Sequence, residues 1–139
     1  MKSMMILAGT LLLTAGLARA GDQASVTQTK HASLLGTPYF TETGGEQIFN
    51  GVCAACHMPD AKGGTGAGYY PALAKNEKLM TSSYPVMMVM NGHGGMPSFR
   101  DTMTDAQIAA VVGYVRTHFG NSYADPVSVD EVKQAREAK

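Results

Sequence analysis

Cys53, Cys56 and His57 stand together in "NGVCAACHMPD", residues 50–60, and the 139-residue chain holds no other cysteine. Two thiols three positions apart, with an imidazole directly after the second, can serve three chemistries. The first is a redox dithiol, for which C-x-x-C is the thioredoxin-type spacing; that chemistry expects a βαβ setting. The second is structural zinc, for which two cysteines supply half of a tetrahedral set. The remaining ligands would have to come from His31, His57, His93 or His118, and none of these has finger-like pair spacing. The third is covalent haem attachment, the reading assigned to C-x-x-C-H. Each thiol adds across one of two vinyl groups on one porphyrin edge, so the sulfurs must sit a fixed short distance apart. One helical turn between i and i+3 supplies that distance, and His57 then projects its imidazole over the ring, where a nitrogen can bind iron. The absence of any other cysteine favours this third chemistry.

An iron held by His57 has an opposite axial position to fill. Downstream of residue 20 the sulfur candidates are Met58, Met80, Met87, Met88, Met90, Met96 and Met103. Met87, Met88 and Met90 fall in an apolar helical stretch, where methionine is most often flexible core filling. Met58 follows His57 directly and cannot easily reach the far face. Met96 lies in "GGMPSF", an extended segment between two helices, where Pro97 fixes the backbone and removes a donor. A ligand on such a loop can reach the far face of a ring anchored elsewhere. Met96 is therefore the expected second axial ligand, with His93 its main rival. His31 and His118 need no functional role; His118 falls in a last helical turn, where positive charge suits the dipole.

The elements that position these residues read as helices. In "GGEQIFNGVCAACH", Gly45, Phe49 and Cys53 recur at i, i+4 and i+8, so they share one helical face. Glycine at a helix start costs stability, which points to a second backbone passing close to Gly45. Residues 58–70, "MPDAKGGTGAGYY", lack the G-K-[ST] ending of a phosphate loop and read as a flexible surface connection. A short helix follows in "SYPVMMVMNG", with Ser83 as cap, Pro85 in the first turn and Asn91-Gly92 as stop. Thr104 and Gln107 predict a capping box for a strong helix whose apolar stripe is Ile108, Val111, Val112, Val115 and Phe119, ended by Gly120. Ser128 and Glu131 predict one more capped helix, polar and peripheral. No stretch alternates with period two, so the expected class is all-α.

The N-terminus predicts the compartment. "MKSMMILAGTLLLTAGLARA" has a basic start, an apolar run and an Ala18-Arg19-Ala20 end, the pattern of a cleaved export leader over residues 1–20. The run is shorter than the roughly 20 residues of a spanning helix, so no stable membrane insertion is expected after cleavage. Residues 21–40 read as a weakly structured leading arm. The full chain balances 11 basic against 11 acidic residues, and losing Lys2 and Arg19 tips it slightly acidic. With no basic stripe, nucleic acid is not an expected partner.

With His57 after Cys56 and "GMPSF" further on, the chain resembles the class I c-type cytochromes from about Thr43 to Asn121. The resemblance implies a fold of short helices wrapped around one covalent haem c, with the first and last core helices crossing. In that family a glycine and an aromatic of the first helix meet an aromatic of the last; Gly45, Phe49 and Tyr114 fit those places. "YYPALAKN" is similar to the family segment whose proline carbonyl accepts a hydrogen bond from the proximal histidine, which gives Pro71 that part. The implied organisation is leader 1–20, arm 21–40, cytochrome domain 41–121 and a C-terminal extension 122–139. The extension resembles tails on single-haem cytochrome subunits of periplasmic dehydrogenases. The implied function is periplasmic electron transfer without catalysis, from a dehydrogenase donor to an oxidase or another cytochrome. Two alternatives stand beside it: a subunit fixed in a dehydrogenase complex, and a haem peroxidase or gas-binding protein with an open axial site. Lys62, Lys75 and Lys78 are read as solvated surface residues.

Overall fold

A computed structural model describes residues 40–66 and 68–138, within the unit that spans residues 33–139. The expected leader, residues 1–20, and all of the arm except Phe40 lie outside the described residues. Helix α1 (Gly45–Ile48), a π-helical turn (Phe49–Cys53) and helix α2 (Ala54–His57) follow one another without a gap. A two-stranded hairpin comes next, β1 (Gly64–Thr65) against β2 (Tyr69–Tyr70), antiparallel with Gly64 opposite Tyr70. A 3-10 turn (Glu77–Leu79) leads to α3 (Ser83–Asn91), α4 (Asp105–Thr117) and α5 (Val129–Glu137). The class is all-α, as the patterning predicts.

Helix α4 begins on the expected capping box. The Thr104 hydroxyl accepts from the Gln107 N–H at 3.2 Å, and the Gln107 side chain accepts from the Thr104 N–H at 2.9 Å. Gln107 also donates to the carbonyls of Phe40 and Glu42, so the cap ties down the chain that enters α1. Ile108, Val111, Val112 and Val115 are buried. The helix stops at Thr117, two residues before the expected end. Thr117 Oγ1 donates to the Gly113 carbonyl at 2.9 Å, and His118 Nδ1 donates to the Tyr114 carbonyl at 2.8 Å. These side chains satisfy carbonyls that the next turn would have used. Phe119 then takes a left-handed φ of 56° and packs its ring 4.7 Å from that of Phe49.

Helix α1 crosses α4 at Gly45. A Cβ there would meet the Ala110 carbonyl oxygen at 2.2 Å and Tyr114 Cβ at 2.7 Å, so no other residue allows the approach. Phe49 completes the crossing against Tyr114, with ring centroids 5.9 Å apart.

The C-terminal extension is not peripheral. Ser128 caps α5 through the Glu131 N–H as expected, but Val132 is fully buried in the core, and α5 packs on both α3 and α4. One valine turned inward suffices, because Ser82 Oγ donates to Glu131 at 2.5 Å and Arg136 pairs with Asp105 at 2.6 Å on either side of it. Ser82 is thereby diverted from α3, which starts at Ser83 with no side-chain cap.

Candidate haem-binding site

The helix that carries the thiols is not a uniform α-helix. Across Phe49–Cys53 the turn widens, and the Ala54 N–H reaches back five residues to the Phe49 carbonyl. Such wide turns recur at functional sites. Cys53, the last residue of this turn, is half-buried and packs against the core that Phe49 enters. Ala54 and His57 face inward, and Cys56 is exposed. The sequence spacing placed Gly45, Phe49 and Cys53 on one face, and Cys53, though less deeply buried than Phe49, packs against the same core.

His57 is buried, and its Nδ1 lies 2.9 Å from the Pro71 carbonyl oxygen. A carbonyl can only accept, so Nδ1 carries the proton and Nε2 keeps a free lone pair. The contact implied for Pro71 is therefore present. Met58, with φ 66°, turns the chain out of α2 directly after His57.

The Pro71 carbonyl is itself held in place. Gly63 has a φ of +65°, and a Cβ on it would meet the Tyr70 carbonyl oxygen at 2.1 Å and the Pro71 carbonyl carbon at 2.7 Å. Gly63 N–H donates to the His57 carbonyl at 3.0 Å, which ties the same glycine to the end of α2. The fully buried Ala61 accepts from the N–H groups of Leu73 and Ala74. Buried Asn121 donates to the carbonyls of Leu73 and Val115 and accepts from the Asn76 N–H. Residues 58–70 are thus more than a surface connection: they brace the backbone that orients the imidazole.

The thiols are unbridged. Burial, with Cys56 beside it, pushes the Cys53 thiol up to about 11. A dithiol oxidoreductase needs the reverse, a thiolate stabilised near or below neutral pH, and among the described residues the sheet is a single hairpin rather than a βαβ unit. Zinc fares no better, since among the described residues no three His, Cys, Asp or Glu side chains gather in a metal-holding group. An imidazole with one nitrogen locked and the other free, next to two unbridged thiols one turn apart, fits a thioether-anchored haem.

Met96 lies apart from this group, on the loop between α3 and α4. His93 and Met96 exchange both backbone hydrogen bonds, at 3.1 and 3.0 Å, around a two-residue Gly94-Gly95 turn. The expected ligand and its rival are therefore cross-strand partners; Met96 is half-buried and His93 exposed. Gly92, with φ +69°, is the counterpart of Gly63: a Cβ there would meet the Met96 carbonyl oxygen at 2.5 Å. Below the turn, Ser98 Oγ donates to the Met90 carbonyl at 2.6 Å and Phe99 N–H to the Val89 carbonyl at 3.0 Å.

Of the lysines, Lys62 pairs with Asp60 at 2.9 Å, both well exposed, an arrangement worth little in water. Lys75 lies along Gly120, and Lys78 sits in the 3-10 turn. Sequence reasoning missed Asn121, Gly63 and the fully buried Arg116. Arg116 donates to the carbonyls of Leu79, Met80 and Asp125 and to the Asp125 carboxylate. Its signal was available, because position 116 continues the Ile108–Val112 row at intervals of four. Asn121 and Gly63 carry no such periodic mark.

A family model described as "Cytochrome C oxidase, cbb3-type, subunit III" matches residues 41–115. The fructose dehydrogenase cytochrome subunit of Gluconobacter japonicus is 37% identical over 109 residues, which is 68% of this chain and 22% of that protein. The cytochrome c subunit of the quinone alcohol dehydrogenase of Gluconacetobacter polyoxogenes is 28% identical over 119 residues, 76% of this chain and 25% of that protein. The chain therefore spans about a quarter or less of the length of these subunits. Cytochrome c6 of Leptolyngbya boryana is 39% identical over 75 residues, 51% of this chain and 85% of that protein.

Proposed function

The chain belongs to the cytochrome c family, electron carriers whose cofactor is haem c, and from that premise we propose that His57 and Met96 hold the iron from opposite faces. Cys53 and Cys56 are the attachment points. The observation that supports this most is the His57 Nδ1–Pro71 bond, which leaves one nitrogen free and aims it. Haem c supplies a ferrous–ferric couple, one electron at a time. With His57 and Met96 both holding the iron, small molecules would have no open site. Methionine opposite histidine raises the potential. No helix among the described residues is long and apolar enough to cross a membrane, and residues 1–20 read as an export leader. The proposed setting is the periplasm, between a dehydrogenase donor and an oxidase or second cytochrome, through contacts below roughly 1,200 Å².

A second reading, a cytochrome subunit held within a dehydrogenase, is favoured by the likeness to the Gluconobacter japonicus subunit. Pull-down from the periplasm separates the two. A free carrier elutes alone, whereas a subunit brings its dehydrogenase with it. The shared premise is tested by mass spectrometry of denatured protein from an exporting host. One haem mass is expected on the chain without residues 1–20, and a chain of apo mass would remove the proposal.

A further inference from the structure

Helix α5 ends beside the Met96 loop, and two arginines close the gap. Arg100, four residues after Met96, donates from Nη1 to the Arg136 carbonyl at 2.8 Å and from Nη2 to Asn91 Oδ1 at 2.8 Å. Arg136 answers from α5: its Nη1 donates to the Arg100 carbonyl, its Nη2 to the Met103 carbonyl at 3.1 Å, and its Nε to Asp105 at 2.6 Å. Each guanidinium thus binds the other residue's backbone. The Arg136–Asp105 pair is about three-quarters buried, at 26% and 24% side-chain exposure, so solvent screens it less than a surface pair. The upper part of the loop is held by the His93–Met96 exchange, by Ser98 and Phe99 bonding back to α3, and by the Phe99 ring, 6.1 Å from that of Phe40. Its lower end is fastened to a helix 36 residues on.

We propose that Arg136 is a positioning residue for the axial sulfur, and that α5 is a clasp that keeps Met96 on the iron. The proposal rests on the reading of Met96 as ligand. Arg136 fixes the carbonyls of residues 100 and 103, and this anchors the descending limb of the loop. That anchorage sets how often the loop lifts and how often the sulfur leaves. The apparent affinity of an external ligand follows the fraction of time the sulfur is away.

The test uses holoprotein and adds imidazole to the ferric form, alongside hydrogen exchange of the amides of residues 92–103. In Arg136→Ala, imidazole is expected to bind about tenfold more tightly, and amides 92–103 to exchange faster while those of 61–76 keep their rates. Arg136→Lys retains the charge opposite Asp105 but cannot fork onto two carbonyls, so it should fall between. If Arg136→Ala does not fold, Arg100→Ala opens the same clasp from the loop side, clear of Val132, and should raise imidazole affinity likewise. A lower melting temperature with imidazole affinity and loop exchange unchanged would overturn the proposal, since Arg136 would then serve α5 alone. Met96→Ala separates the two readings. If that variant keeps the red sulfur-to-iron absorption while Arg136→Ala still loosens the loop, the ligand assignment fails and the positioning role with it, leaving Arg136 only as an anchor of the loop backbone.

Discussion

The two sides of the site are built differently. On the His57 side the proposed ligand follows its proposed attachment points in sequence, its ring is hydrogen-bonded, and the bonding carbonyl is braced by Gly63, Ala61 and Asn121. On the Met96 side the fastening is of the loop, through the Ser98 hydroxyl, the Phe99 ring and N–H, and the His93–Met96 exchange. Gly92 and the two-residue turn shape it from above, and Arg100 and Arg136 fasten it from below. A thioether sulfur is a weak acceptor, so it can be placed but not gripped. If Met96 holds the iron as proposed, ligand exchange, potential tuning and access to iron would all belong to the Met96 side.

Changes on the His57 side should have the largest effect. Replacing Cys53 and Cys56 together by alanine should leave no haem on the denatured chain, as read by mass. On the Met96 side, Met96→Ala should keep the covalent haem, lose the red absorption, lower the potential and admit carbon monoxide to the ferrous protein. Retention of carbon monoxide resistance would move the ligand elsewhere. The two bracing glycines sharpen the contrast. Gly63→Ala and Gly92→Ala each force a side chain onto a left-handed backbone against a carbonyl, a cost of about 1–3 kcal/mol in unfolding experiments. Only Gly92→Ala should speed carbon monoxide binding; equal effects would erase the distinction. The smallest effect lies outside the site. The Arg116 guanidinium holds the Asp125 carboxyl below its usual range. A depressed folded value stabilises above the unfolded one and is lost as pH falls through it. Melting followed between about pH 4 and pH 2 should show that loss, and Asp125→Asn should lack it.

How far the sequence carried depended on the type of signal. Cys53, Cys56 and His57 were legible because their chemistry demands fixed local spacing. The α4 cap and stripe were legible through helical period, whereas the Gly45 crossing on α4 and Phe49 against Tyr114 came with the family resemblance. Pro71 came only with the family resemblance, since a carbonyl acceptor leaves no side-chain signature. The wide turn at Phe49–Cys53 was not legible: widening inserts no residue type of its own. The inward turn of Val132 was obscured by a polar helix whose burial depends on partners far away in sequence, Ser82 and Asp105. The glycines at 63 and 92 looked like loop punctuation, because the backbone each must pass is set by tertiary structure.

In the proposed site one methionine sulfur, that of Met96, faces His57 across the haem. Nuclear magnetic resonance of ferrous holoprotein with labelled methionine methyls reads this directly, because the ring current shifts a bound methyl far upfield. One such methyl is expected, and it should vanish in Met96→Ala. A shifted methyl that survives that substitution, or none in the unsubstituted protein, would contradict the claim.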